Sequence, residues 1–347
     1  MNRRTFIKSA AALGILGAAG PLRGFPMARA AGSGPESVDD LPRLDGALTV
    51  YMGRGEGGLY HDVIQAIEKR NPGLDLSLRR APSASLSNTL VQENRMGGPR
   101  ADLFWSIDAS SLGVVIDAGM TKPVPDSLLQ RVNPDFRYPH LAPLTGRVRT
   151  VVYNPDKVDP EALPRSIMAY AESDLSVGWA PAYGAFQSFL TAMRILEGED
   201  ATRAWIEGIK PRATEYAGEL GAVMAVERGE VDVAFANHYY TLRLKQGKPD
   251  ATVDITFTRD DAGSLMNTSG VVLLTEGDLQ VNFIRHLLSR EVQSYLAREA
   301  FEIPMVPEVS TPPGLPSQAD LHPPRLDLTR LADVRPTLDL LRETGVL

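Results

Sequence analysis

An alternation of short apolar segments with longer amphipathic ones constrains this chain most, because it dictates how strands and helices are connected. From Ala47 the strand-like segment ALTVYM precedes the helix-like LYHDVIQAIEKR, and the same order recurs in LDLSL with SNTLVQENRMG and in ADLFWSI with DASSLGVVIDAG. Proline or glycine stands where each helix is expected to end. A βαβαβα run favours a mostly parallel sheet covered by helices on both faces. The predicted fold class is therefore α/β.

A second alternating series begins with the strand-like segment RVRTVVYN at 147–154 and runs on to VDVAFAN, ATVDITF and SGVVLLT. Two series in a chain longer than one core fills efficiently predict two lobes, each a mostly parallel sheet flanked by helices. Ligands of open α/β sheets lie beyond the carboxyl ends of the strands, so we expect a ligand cleft between the lobes. The predicted N-lobe is 46–147 plus 271–315, and the predicted C-lobe is 148–270 plus 316–347.

The first thirty residues have the composition of an export signal. Arg3 and Arg4 precede the apolar stretch SAAALGILGAAG, and ARA at 28–30 offers small residues for cleavage. The paired arginines predict a twin-arginine signal peptide at 1–30, followed by a flexible segment at 31–45, and hence a periplasmic location. The apolar stretch is too short and too rich in glycine and alanine to span a bilayer as a helix.

Charge and cysteine content exclude several classes of function. Removal of the signal takes away five of the 36 basic side chains, which leaves 31 against 43 acidic ones and a formal charge of −12. Such an acidic protein is a poor binder of nucleic acids and anionic membranes. The absence of cysteine excludes disulfides, thiolate metal sites and cysteine nucleophiles, and we expect no lipid anchor on cysteine.

The turn GRGEGG at 53–58 follows the first predicted strand and has the G-x-G-x-x-G spacing of a dinucleotide-binding turn. One interpretation is an exported NADP-dependent oxidoreductase, with Arg79 and Arg80 facing a 2′-phosphate. The other is an anion site in which the backbone amides around Gly55 and the guanidinium of Arg54 face the cleft. Both interpretations place a negatively charged ligand at this strand end.

Two further strand ends carry polar side chains. Asp108 follows a strand and begins a helix, so it is either a helix cap or a group that reaches the cleft. Tyr239 and Tyr240 follow the strand VDVAFAN, with Asn237 positioned to cap the next helix. Adjacent side chains converge only where a strand has ended, because on a strand they point to opposite faces. Phenols ionise near pH 10, so paired phenolates at neutral pH require a strongly Lewis-acidic cation such as Fe³⁺.

On these residues the chain resembles the ferric-ion-binding proteins of bacterial ABC importers, which are type II periplasmic binding proteins. The resemblance extends over nearly the whole mature chain and is best in LTVYMGRGEGGL, ADLFWSIDASSLGVVIDAGM, GRVRTVVYNPDKV, PAYGAFQSF and AVERGEVDVAFANHYY. It implies two α/β lobes, connected by hinge strands, that close on the ligand. It implies that Tyr239 and Tyr240 ligate Fe³⁺, with Tyr183 as a third phenolate and Asp108 as a further candidate.

The resemblance also implies a synergistic anion, carbonate or phosphate, bound by Arg54, Gly55, Gly184 and Asn237. Some branches use a histidine where this chain has Gly55, and others use a glutamate where it has Ile107. These differences leave open an organic anion or phosphorylated metabolite as the ligand instead of iron. The expected protein is a monomeric solute-binding component, not an enzyme, that delivers its ligand to an ABC permease and its ATPase.

Overall fold

The computed structural model describes residues 37–54 and 58–347, and the predicted signal peptide, residues 31–36 and Gly55 lie outside these ranges. The strands are β1 Gly46–Gly53, β2 Leu74–Ala81, β3 Leu103–Ser106, β4 Ala142–Tyr153, β5 Val177–Trp179, β6 Ala213–Glu215, β7 Val233–Asn237, β8 Asp254–Thr256, β9 Met266–Leu273 and β10 Ile303–Pro304. The helices are α1 Leu59–Arg70, α2 Ser83–Arg95, α3 Ala109–Asp117, α4 Asp126–Leu129, α5 Gly184–Glu197, α6 Glu199–Ile209, α7 Glu219–Glu227, α8 His238–Gly247, α9 Asp278–Leu287, α10 Arg290–Ala300 and α11 Arg335–Glu343.

The strands follow the order β2-β1-β3-β9-β4-β7-β5-β6, with β8 and β10 also pairing with β4. Strands β1, β2 and β3 are parallel to one another, and so are β5, β6 and β7. Each parallel set is therefore the centre of one half of the molecule, with antiparallel pairing to β4 and β9 in between. The two-lobed α/β fold predicted from the sequence is confirmed, whereas the lobe boundaries remain a prediction.

Strand β4 belongs to both halves. Its residues 142–148 pair with β9, and its residues 149–153 pair with β7. The sequence-based prediction that a new strand begins at 147 was therefore wrong, because the strand begins five residues earlier. Pro143 and Gly146 weaken the local strand signal, but pairing with β9 holds this stretch in the sheet across an irregularity between Pro143 and Thr145.

Helix starts converge at one edge of the second half. Helices α5, α7 and α8 follow the parallel strands β5, β6 and β7 in that order along the chain, so their N-termini lie at the same sheet edge. Beneath them, Phe189 and Trp205 pack edge-on with ring centres 5.6 Å apart, and Phe235 contacts both rings. This buried aromatic core fixes the strand ends from which the candidate site is built.

The two halves also touch away from the shared strand. The hydroxyls of Ser110 in α3 and Ser188 in α5 lie 3.3 Å apart. The chain segment after residue 327 packs on α3, where a Cβ added to Gly113 would lie 2.3 Å from the Thr329 carbonyl oxygen. In the described part of the chain, no helix combines the length and the apolar character that a membrane span requires.

Candidate metal centre

The junction between β7 and α8 carries the tandem tyrosines. Asn237 occupies the N-cap position with extended backbone, and the helix begins at His238. The rings of Tyr239 and Tyr240 stand 4.4 Å apart at 47°, so the two side chains point the same way although they are neighbours in sequence. The turn from strand to helix allows this, as the sequence predicted.

Asn237 does not cap the helix with its side chain, which corrects the expectation from sequence. Its amide nitrogen lies 3.5 Å from the Tyr239 hydroxyl oxygen, at the outer limit of a hydrogen bond. Its backbone N–H donates to the buried Glu219 carboxylate at 2.9 Å. That carboxylate is also ion-paired with Arg149, so a neutralised pair anchors the backbone immediately before the tyrosines.

Tyr183 joins the pair from a different strand end. It is the N-cap residue of α5, and its hydroxyl lies 2.8 Å from the Tyr240 hydroxyl. The contact follows from the parallel pairing of β5 and β7, which brings their carboxyl ends to one edge. Tyr183, Tyr239 and Tyr240 therefore form one group, which we call the phenol cluster. Gly184, exposed at the first position of α5, adjoins it.

The surroundings of Tyr239 and Tyr240 stabilise the neutral form of both phenols. Burial raises the pKa of Tyr239, whose side chain is 4% exposed, and the neighbouring Tyr183 adds to the effect. Burial likewise raises the pKa of Tyr240, and repulsion from the other two phenols adds to it. Phenolates this close together would repel one another, so a cation between them is required before they lose their protons.

His238 lies next to the cluster but is turned into the protein. Its Nδ1 accepts from the Val148 N–H at 3.2 Å, so we assign the proton to Nε2, which donates to the Phe301 carbonyl at 2.6 Å. Burial lowers the pKa of His238 to about 4, which keeps the ring neutral. The side chain is a structural link to the other half of the molecule.

Arg147 is a charged residue in the shared strand β4, close to the cluster. It forms an ion pair with the buried Glu302 at 2.8 Å and donates to the Ile107 carbonyl and the Tyr60 hydroxyl. Burial opposes its charge, but the Glu302 carboxylate outweighs this effect and raises the pKa of Arg147; the Tyr239 hydroxyl contributes in the same direction. A fixed positive charge therefore lies within electrostatic range of Tyr239.

Asp108 acts as a helix cap. Its carboxylate accepts from the Ser111 N–H at 2.7 Å and from the Ser111 hydroxyl at 3.2 Å. This is the ordinary N-cap arrangement, and it satisfies one of the free backbone donors of the first turn of α3. In the described residues, no three His, Asp or Glu side chains are grouped so that they could hold a metal ion.

Gly53 and Gly58, at the two ends of the glycine-rich segment after β1, each have a structural explanation. A Cβ on Gly53 would lie 2.3 Å from the Ser83 hydroxyl oxygen, and Gly58 has a left-handed φ of 83° that suits glycine. Arg54 follows β1 with an exposed side chain, and its backbone N–H donates to the Ala81 carbonyl at 3.1 Å. Anion binding by Arg54 and by Gly55 stays a prediction.

Sequence reasoning assigned no role to Arg147, Arg149 or Glu219, although they surround the site. One signal was available for the two arginines, because both stand in the apolar strand segment RVRTVVY, where buried charges need partners. Their partners come from residues 302 and 219, which are distant in sequence.

Two α/β halves that share a strand, with a polar cluster at the strand ends, have the architecture of a ligand-binding protein. The family model for bacterial extracellular solute-binding proteins matches residues 98–330, and this chain belongs to that family. The family-level resemblance predicted from the sequence is thereby confirmed.

Several proteins similar to this chain are named for binding ferric iron. The major ferric iron-binding protein of Neisseria meningitidis is 28% identical over 314 residues, which cover 86% of this chain and 93% of the relative. The Fe(3+)-binding periplasmic protein of Serratia marcescens is 28% identical over 289 residues, covering 80% and 85%. The crystal structure of iron-bound HitA from Pseudomonas aeruginosa superposes with a TM-score of 0.74 at 27% identity, covering 86% of this chain and 99% of HitA.

Proposed function

We propose that this protein captures Fe³⁺ between its lobes and delivers it to the permease and ATPase of an ABC importer. The observation that carries the proposal is the phenol cluster, in which two strand ends bring Tyr183 and Tyr240 to 2.8 Å and Tyr239 packs on Tyr240. Relatives named for ferric iron binding support the choice of cargo. The protein performs no chemistry on the ion.

The three phenols supply what a hard trivalent cation requires. Each loses its proton on binding, so that three phenolate oxygens balance the charge of Fe³⁺. We leave Asp108 out of the ligand set because its carboxylate is engaged in capping α3. Because burial stabilises the protonated forms of Tyr239 and Tyr240, acidification weakens binding by returning protons to these ligands.

A synergistic anion, carbonate or phosphate, completes the coordination together with water. The cluster residues lie at the N-termini of α5 and α8, and helix N-termini favour anions. Gly184 leaves room there, since a Cβ added to it would meet no atom within 4 Å. The Asn237 amide and Arg54 are the side chains we assign to the same anion.

The proposed function requires export of the protein and closure of its lobes. The twin-arginine signal at 1–30 would place the folded protein in the periplasm, where it acts as a monomer. Closure of the lobes would bring both sides of the cleft around the ion, and the permease would favour the open form.

Visible absorption tests the proposal, because phenolate–Fe³⁺ complexes absorb by charge transfer. Ferric citrate added to the iron-free protein is expected to give an orange to red colour that the double variant Tyr239→Phe, Tyr240→Phe abolishes. Tyr295→Phe is the matched control, because this phenol lies elsewhere and donates to Asp62. A colourless wild-type protein that phosphate esters stabilise would instead identify an organic-anion binder, and tightly bound NADP would identify the oxidoreductase.

A further inference from the structure

Tyr239 has a second partner that the proposed iron site does not require. Arg243, one helical turn further along α8, places its guanidinium carbon 4.6 Å from the centre of the Tyr239 ring. Residues four apart lie on the same face of a helix, which explains the contact. The separation is within the range of cation–π attraction, which is electrostatic and strengthens as the ring becomes richer in electrons.

Arg243 is held in place by the other half of the molecule. Its Nη2 donates to the carbonyl of Ala300, the last residue of α10, at 2.9 Å. A helix C-terminus is the negative end of the helix dipole and a favourable place for a cation. The guanidinium therefore links the ring of one phenol to the N-lobe.

The turn after α10 presents its carbonyl groups to α8. Phe301 has φ 55° and ψ 26°, a left-handed conformation that is uncommon for residues other than glycine. The Phe301 carbonyl accepts from His238, and the Phe301 side chain packs with Tyr239 and Leu242. The start of α8 is thus docked on α10 by two hydrogen bonds and a small apolar cluster.

We propose that Arg243 is a positioning residue for iron binding, which orients the Tyr239 ring and stabilises the negative charge that the ring carries when its oxygen ligates Fe³⁺. The inference rests on the proposed function. It adds a cation that does not contact the ion. Through its hydrogen bond to Ala300, this cation links the charge on Tyr239 to the N-lobe.

Iron titrations of the full-length mature protein test this role. Arg243→Met is expected to weaken Fe³⁺ binding about tenfold in competition with citrate. It should also move the charge-transfer band to longer wavelength, because loss of the nearby positive charge raises the energy of the phenolate electrons. Arg243→Lys keeps a cation and should leave the band near its wild-type position. Lys245→Met is the matched control. It removes a cation that lies on the same helix but pairs with Asp254 and not with the Tyr239 ring.

A double-mutant cycle separates positioning from general stability. In the Tyr239→Phe background, Arg243→Met should have no further effect on iron affinity, since the ring no longer ligates. An unchanged band and affinity in Arg243→Met, or an equal effect in both backgrounds, would overturn the inference. If Arg243→Met does not fold, a charge-transfer band of Arg243→Lys that lies at clearly longer wavelength than the wild-type band would do the same. A wild-type protein without any charge-transfer band would overturn the proposed function and this inference together.

Discussion

Tyr60 and the phenol cluster have opposite surroundings. Tyr60 is 1% exposed, stacks on Trp105 with ring centres 4.7 Å apart, and donates to the Glu302 carboxylate at 2.7 Å. Its hydroxyl is enclosed by charged and polar groups whose hydrogen bonds are already formed within the protein. In the phenol cluster, the Tyr183 and Tyr240 hydroxyls lie against each other, and Tyr239 has a hydrogen bond with Tyr240 and a long contact to the Asn237 amide.

Burial therefore does not distinguish a structural phenol from a candidate ligand. Burial raises the pKa of Tyr60 and of Tyr239 alike. The difference lies in the partners, because Tyr60 belongs to a completed network with Thr145, Arg147 and Glu302, whereas the phenol cluster brings three like groups together. Three phenol oxygens brought together supply the hard oxygen ligands that a trivalent cation prefers.

Arg147→Met is the strongest way to break the completed network. It leaves the Glu302 carboxylate buried without its ion-pair partner, and loss of one partner of a buried pair costs about 3–5 kcal/mol. Urea unfolding of the iron-free protein measures this loss. The double variant Arg147→Met, Glu302→Gln should recover part of it, and a double variant as unstable as the single one would contradict the assignment.

Tyr183→Phe tests whether the third phenol belongs with the pair. Loss of one of three anionic ligands should weaken Fe³⁺ binding roughly 10- to 100-fold, about 1.4–2.8 kcal/mol, with little change in folding stability. Citrate competition measures the affinity and thermal unfolding the stability. An affinity equal to that of the wild type would remove Tyr183 from the ligand set.

Acidification should affect the network through Glu302. Burial alone would raise the pKa of this carboxyl, but the charge of Arg147 and the hydrogen bonds from Thr145, Arg147 and Tyr60 outweigh it and lower the pKa. Its contribution to stability is thus present above the unfolded pKa of about 4.3 and is lost as the pH falls further, by at most about 1.4 kcal/mol per pH unit. Unfolding of Glu302→Gln at pH 3 to 6 should show a shallower pH dependence, and an equal slope would contradict this account.

Tyr60→Phe should have the smallest effect. Removal of one hydroxyl from a network with other donors is expected to cost about 1 kcal/mol of folding stability and to leave iron affinity unchanged. The same pair of measurements as for Tyr183→Phe applies. A loss of iron affinity in this variant would contradict the distinction between Tyr60 and the phenol cluster.

The local sequence pattern predicted those parts of the structure that are determined by residues close together in sequence. Helix α8 spans 238–247 as the residues HYYTLRLKQG indicate, and Tyr239 and Tyr240 converge because the strand ends before them. The convergence of Tyr183 needed the family resemblance, since its contact with Tyr240 spans 57 residues. Strands β6 and β10 are too short to give a pattern, and they exist through pairing with β5 and β4.

Side-chain partners distant in sequence were the main omission. Arg147 and Arg243 look like ordinary charged residues in a strand and a helix, and nothing near them in sequence reveals their partners Glu302 and Ala300. Asn237 was assigned to the correct position, but its amide turns toward Tyr239 instead of capping the helix. Tertiary contacts decided each of these cases.

The shared strand β4 has a consequence for how such a protein can be divided. A cut between residues 148 and 149 would leave residues 142–148 paired with β9 and residues 149–153 paired with β7, so neither β7 nor β9 would lose its neighbour. The first half would nevertheless be discontinuous in sequence, because β9 follows β5, β6 and β7 along the chain. Replacing the second half alone therefore requires at least two new junctions, one within β4 and one before β9.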